Sequence, residues 1–220
     1  RAMQGLRGEL SIGERDTKSA GLIWADSTDR VSYKLSASYF HQDAWDRDNL
    51  MPDGSPMPRA TVFENSGTTQ PKFDARIDWD ADRNRVWSLR GGVAGANGLI
   101  HSALGPAAFE GGSYASYLEV DRTTDALDFK AYWNRLDAPF EILLYGLDET
   151  AVNDTYVTDV VRRMRAGSRH GLTFGGSMRV DRFDISIAPE DRDRFNVSGF
   201  LEDKIDIGSA VNLVLGGRLD

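Results

Sequence analysis

The chain has 220 residues, 34 of them acidic and 26 basic, for a formal charge of −8. Such a surface cannot replace the counterions condensed on nucleic acid, which excludes a general nucleic-acid binder. Cysteine is absent, which excludes a disulfide scaffold, a thiolate zinc site and a cysteine nucleophile, and His41, His101 and His170 are too far apart in sequence to suggest a histidine-rich metal site.

No apolar run reaches the ~18 residues of a membrane-crossing helix. The opening RAMQGLRGEL lacks the apolar core of a secretion signal, so none is expected there. Neither point bears on a β-barrel wall, whose strands need only alternate.

Alternation is what the chain shows. The first two segments, Gly5 to Glu14 and Ser19 to Asp26, are weak strand candidates. Val31 to Phe40 is the clearest strand. Val31, Tyr33, Leu35, Ala37 and Tyr39 fall on one face, and Ser32, Lys34, Ser36 and Ser38 on the other. KFDARIDW follows, with Phe73, Ala75, Ile77 and Trp79 opposite Lys72, Asp74, Arg76 and Asp78. Segments from Trp87, Tyr114 and Leu127 repeat the pattern, as do LTFGGSMRV, FNVSGFLE and VNLVLGGRL. In these windows the apolar face carries no charge, while charged residues crowd the other face. A soluble sandwich admits Lys or Glu at the margin of its apolar face. A lipid-facing wall tolerates this badly, because Arg or Lys at mid-bilayer costs ~2–4 kcal/mol.

The segment DTYVTDVVRRMR reads two ways. Val157, Val160, Val161 and Met164 have helical spacing, with Asp154 as an N-cap, and Arg162, Arg163, Arg165 and Arg169 would then form a basic patch. A strand over Thr155 to Arg163 is preferred, because it keeps the up-and-down parity of the chain. It also brings the predicted strands to about eleven.

The connections alternate as well. Ser27–Asp29, Ala81–Asn84, Arg122–Asp125, Arg165–Ser168 and Asp206–Ser209 read as tight polar turns. Asp43–Pro71, Ala96–Ser113, Asp137–Asn153 and Phe183–Asp193 read as long loops, with a compact link at Arg15–Lys18. Short turns on one side and long loops on the other are the asymmetry of an outer-membrane barrel. With the short turns below, Tyr33, Trp79 and Trp87 form a low aromatic girdle, and Tyr39, Phe73, Tyr114 and Trp133 a high one.

Several stretches carry a family resemblance: QPKFDARIDWD (Gln70–Asp80), GANGLIHSALGP (Gly95–Pro106), RHGLTFGGSMRVDRFDISIAP (Arg169–Pro189) and GFLEDKIDIGSAVNLVLGGRLD (Gly199–Asp220). The chain resembles the β-barrel of a TonB-dependent outer-membrane receptor. Its end, with Gly217, Arg218 and Asp220, is similar to that family's recurrent strand–turn–strand pattern. The resemblance implies an all-β, antiparallel, up-and-down transmembrane barrel of about 22 strands, of which residues 1–220 would supply a part, without the plug or the C-terminal strands. It also implies a receptor rather than an enzyme, without a cofactor, in the outer membrane of a Gram-negative-type bacterium. Its partners would be outer-membrane lipid, its own plug, TonB, and a scarce ligand such as a ferric siderophore, cobalamin or an oligosaccharide. A passive porin and a soluble all-β binding module are the competing readings.

No catalytic signature is present: there is no G-x-S-x-G, P-loop or H-E-x-x-H. Asp46, Asp48 and Asp53 suggest a calcium loop, but Leu50 and Met51 stand where an EF-hand needs Asp or Asn and then Gly. GGVAGANG opens no helix and so makes a poor phosphate cradle. Ligand recognition is expected in the long loops, with Trp45, His101 and Phe109 as candidates. Asp74, Arg76, Arg90, Lys130 and Arg179 are expected to line the lumen, where the resemblance implies contact with plug and water.

Overall fold

The computed structural model describes residues 4–45, 54–55, 67–82, 84–102, 105–109, 111–186, 192–208 and 211–220. The segment of the suspected calcium loop, 46–53, lies outside the described residues. Among those described there is no helix.

Thirteen strands form one antiparallel sheet: β1 (Gly5–Ile12), β2 (Lys18–Ser27), β3 (Val31–Gln42), β4 (Thr68–Asp82), β5 (Arg85–Gly95), β6 (Gly98–Ser102), β7 (Gly105–Phe109), β8 (Tyr114–Thr124), β9 (Leu127–Ile142), β10 (Leu147–Ala166), β11 (His170–Ile185), β12 (Arg192–Ile207) and β13 (Val211–Leu219). The main path runs β1-β2-β3-β4-β5-β8-β9-β10-β11-β12-β13. Each strand on it pairs with its sequence neighbour except where β6 and β7 stand aside as a hairpin. That path has the eleven strands that the alternation predicts.

The sheet curls without closing. Side chains from β1 through β5 and from β8 through β10, among them Arg7, Glu9, Lys72, Tyr117, Asn134 and Thr155, line one concavity of about 870 Å³. Among the described residues β1 and β13 end the path and do not pair with each other.

Among the described residues no second layer covers the sheet. Among the described residues the buried apolar side chains are Ala25, Ala107, Ala138, Ile142 and Val157, whereas Trp24, Tyr39, Phe73, Ile77, Trp79, Leu118, Val160, Phe174 and Met178 are exposed on the convex face. A sandwich would bury these residues between its layers. The soluble-module reading needs two packed layers, and among the described residues no second layer lies against the apolar face.

The register explains why that face is uniform. Directly opposed residues of antiparallel strands point to the same side. Leu118 opposes Gly91 and Trp133, Trp133 opposes Tyr156, and Tyr156 opposes Val180. The outer row is apolar across five strands, β5 and β8 to β11. Among the described residues, charge appears on the outer face only at its two borders. Above, Arg135 bonds Asp154 at 2.9 Å and Asp137 at 2.8 Å, and the Trp133 indole N–H donates to Asp154 at 2.8 Å. Below, the Arg122 guanidinium lies 5.3 Å over the Trp87 ring, and His170 meets Asp203 at 2.8 Å. On β10 the span from Asp154 to Arg162 is eight residue steps, and on β11 the outer positions from Leu172 to Val180 carry no charge. At ~3.3 Å per step and a tilt of about 40° this gives roughly 20 Å, close to the ~25 Å apolar band of an outer-membrane barrel.

Two expected loops are shorter than predicted. Asp137–Asn153 contains the end of β9 and the start of β10, and only Leu143–Gly146 turns the chain. Gly146 takes φ 60° there, and its N–H, like that of Tyr145, bonds the Ile142 carbonyl. Ala96–Ser113 holds the β6–β7 hairpin, which packs back through β7 onto the upper end of β9. DTYVTDVVRRMR is strand throughout, and Arg162, Arg163 and Arg165 fall near the short-turn end of β10.

Candidate functional site

The concave face carries the polar chemistry, and it falls into three clusters built by register. The first spans β4, β5 and β8. Asp74 opposes Gly92, and Gly92 opposes Tyr117. The Tyr117 phenol donates to Asp74 Oδ2 across the intervening strand. Glycine is required between them, because a Cβ on Gly92 would lie 2.8 Å from the Tyr117 ring and 2.8 Å from the Phe73 carbonyl oxygen.

One step lower lies the second cluster. Arg76 grips Asp78 with two nitrogens, Nε at 2.8 Å and Nη2 at 3.0 Å, and the Ser88 hydroxyl donates to the same carboxylate. Beside it, Arg90 Nη2 bonds Glu119 at 2.7 Å and Asp121 at 2.9 Å, and Lys130 Nζ reaches Glu119 at 3.0 Å. Arg90 with Lys130 balances Glu119 with Asp121, so this quartet on three adjacent strands is neutral.

The third cluster lies on β10 and β11. Arg179 holds Asp181 through Nε at 2.8 Å and Nη2 at 2.9 Å, and the Thr155 hydroxyl donates to Asp181 at 2.7 Å. Asp181 is 2 % exposed. A carboxylate so covered persists because cations and donors satisfy its oxygens; Arg194 opposes it from β12.

All five predicted lumen residues therefore stand on the concave side. Each is engaged by a partner that parity alone did not name: Tyr117 for Asp74, Asp78 for Arg76, Glu119 and Asp121 for Arg90, Glu119 for Lys130, and Asp181 for Arg179. Asp181 lies just past Val180, where the apolar alternation stops, so the sequence pattern does not mark it.

Above these clusters a second cavity, of about 720 Å³, opens at the long-loop end. Trp45 and Phe109 both line it, with Gln42, Gln70, Asn97 and Tyr114. Trp45 follows β3 and sits under the Arg15 guanidinium, 4.4 Å from its ring centroid. Phe109 ends β7 and stacks on Phe140 of β9 with centroids 5.6 Å apart. His101 pairs in register with Pro106 near the tip of the β6–β7 hairpin; its side chain lies outside the described residues. Two of the three loop candidates thus meet at one cavity. Its aromatic faces and neutral amides, with the charged Asp43 and Lys72 also on its wall, suit a small polar solute held by stacking and hydrogen bonds.

The curled single sheet, its apolar belt between charged borders and its polar concavity are the features of a transmembrane β-barrel wall. The fold is that of the barrel of TonB-dependent receptors. The copper transporter OprC superposes with a TM-score of 0.57 at 12% identity, over 97% of this chain and 35% of that one. Two crystal structures of the ferric enterobactin receptor PfeA of Pseudomonas aeruginosa, both of substituted forms, match with TM-scores of 0.52 at 14% identity. They cover 99% and 98% of this chain and 40% and 39% of theirs. The chain thus spans well under half the length of these structures. No protein-family model and no curated protein matches the sequence.

Proposed function

We propose that this chain is part of the barrel wall of a TonB-dependent outer-membrane receptor that imports a scarce ligand. The observation that carries the proposal is the opposition of faces: an outer belt free of charge between charged rims, and an inner face of bonded charge clusters. Lipid fits the first and a hydrated plug fits the second. The shared fold with a copper transporter and a ferric enterobactin receptor supports the class. Ligand is captured above, at the cavity lined by Trp45 and Phe109. The clusters around Arg76, Arg90 and Arg179 present spare oxygens and N–H groups to the plug. No residue here is asked to make or break a covalent bond, so the protein is a transporter rather than an enzyme.

A ferric siderophore is the first cargo to test. The full-length protein is expressed in an outer-membrane-competent host, and uptake of a radiolabelled ferric siderophore panel is compared with and without TonB. TonB-dependent uptake of one member is the expected result. Uptake that persists without TonB and follows solute size identifies a passive porin instead.

A further inference from the structure

One group of side chains sits at the rim beside the upper cavity, which Asp43 also lines. Asp16 lies in the β1–β2 turn, His41 near the end of β3, and Asp43 just after β3. One ligand atom of each lies within 4.8 Å of the others. The backbone braces the trio: Asp43 N–H donates to the Arg15 carbonyl at 2.8 Å, and the Arg15 guanidinium donates to the Ala44 carbonyl at 3.3 Å.

The imidazole sets the chemistry. His41 Nδ1 is 2.9 Å from the Thr69 hydroxyl on β4, which fixes the ring and turns Nε2 toward the carboxylates. Nε2 is 3.4 Å from Asp43 Oδ1 and 3.8 Å from Asp16 Oδ2. In the tautomer whose Nδ1–H donates to Thr69, the Nε2 lone pair faces two anionic oxygens, a donor set that a metal cation between them would complete. Two ligands at ~2.1 Å from one metal at a tetrahedral angle stand about 3.4 Å apart, which the Asp43–His41 spacing matches. The hydroxyl behind Nδ1 is the outer contact that metal-bound imidazoles use to hold their tautomer.

We infer that Asp16, His41 and Asp43 bind a first-row transition-metal dication on the outer rim of the wall. One imidazole and two carboxylates suit zinc, copper(II) or nickel better than calcium or magnesium, which take oxygen alone. Lys18 is the built-in competitor: its ammonium sits 2.7 Å from Asp16 Oδ2 and must swing aside when metal enters. His41 opposes Lys18 and Thr69 on the convex side, one outer position above Tyr39. His41 thus reaches the trio from the convex side, whereas Asp43 also borders the upper cavity, so the site lies on the rim between the two. The ligand set stands on geometry alone; its height at the head-group level rests on the membrane reading.

The test uses Zn²⁺ titrated into the full-length protein in chelator-washed detergent micelles, read by competition with a zinc dye. The expected result is one site, weakened about tenfold or more by His41→Gln and tightened severalfold by Lys18→Gln. With Cu²⁺ in place of zinc, electron paramagnetic resonance should show a nitrogen coupling that His41→Gln removes. Heat-modifiable mobility confirms that each variant is folded. Zinc binding that is absent, or equal in wild type and His41→Gln, or weakened by Lys18→Gln, overturns the site. A metal site that persists when TonB-dependent uptake is not found leaves this inference standing and removes only the receptor reading.

Discussion

Tyr117 reaches over Gly92 to donate its phenolic hydroxyl to Asp74, joining β8 to β4 across the strand between them. The crossing exists only because β5 offers no side chain there. Gly92→Ala places a methyl against the Tyr117 ring and the Phe73 carbonyl. It should cost about 1–3 kcal/mol, as overpacking does, whereas Tyr117→Phe should cost only about 1 kcal/mol for the lost hydrogen bond. Heat-modifiability midpoints in micelles check both, and the account needs the alanine to be the worse change.

Asp181 supplies a sharper contrast. Arg179→Met leaves its covered carboxylate with Thr155 and the facing Arg194, and should destabilise the wall by on the order of 2 kcal/mol. The double change Arg179→Met with Asp181→Leu removes the charge and its need together, and should recover part of that loss. Denaturant midpoints of the three proteins decide the matter; equal midpoints for the single and double variants would show the pair to be independent.

The outer belt and the inner face should answer oppositely to the same charge. Leu118→Arg puts a guanidinium into the lipid-facing row and should cost ~2–4 kcal/mol. Ser36→Arg, on the concave side, should cost much less. Folding into bilayers of matched thickness, followed by denaturant titration, measures the difference.

In the β1–β2 turn, the Lys18 ammonium holds the Asp16 carboxyl below the usual carboxylate range, chiefly by a direct hydrogen bond. A depressed folded value contributes stability that is present above the unfolded pKa of ~3.9 and lost as pH falls through the folded value. In chelator, wild type should therefore unfold slightly above Asp16→Asn at neutral pH, and the gap should close only below about pH 4. The effect is small, because both side chains are solvent-exposed.

Trp45 and Phe109 converge on one cavity, which gives the ligand prediction. Trp45→Ala and Phe109→Ala should each weaken binding of the imported ligand by about tenfold, the loss of one stacking face. Phe140→Ala should act more weakly, since it touches the ligand only through Phe109. Equilibrium binding to the purified receptor, once a cargo is found by uptake, provides the measurement.

The eleven wall strands are legible because an apolar face on one side and a polar face on the other impose a period of two wherever a strand crosses the belt. Where a strand leaves the belt the rule lapses. Arg135, Asp137 and Asp154 share the outer face of Trp133 and Tyr156 but carry charge, so the upper halves of β9 and β10 read as loop. The β6–β7 hairpin, GLIHS and GPAAF, has no alternation to betray it. Parity was enough to place Asp74, Arg76, Arg90, Lys130 and Arg179 on the inner face. Their partners depend on register, which a single sequence does not display. Asp16, His41 and Asp43 lie on two connected segments and come together only when β2 pairs with β3.

The central claim is that the face carrying Leu118, Val160 and Phe174 meets lipid. The absence of cysteine permits a clean test: single cysteines along β8, from Tyr114 to Arg122, each carrying a nitroxide, with the protein in lipid vesicles. The account predicts that labels at Ser116, Leu118 and Val120 collide with dissolved oxygen and are shielded from a water-soluble nickel chelate, while those at Tyr117 and Glu119 are not lipid-exposed. Labels at Leu118 and Val120 that meet the nickel chelate freely, or that are immobilised against protein, would contradict it.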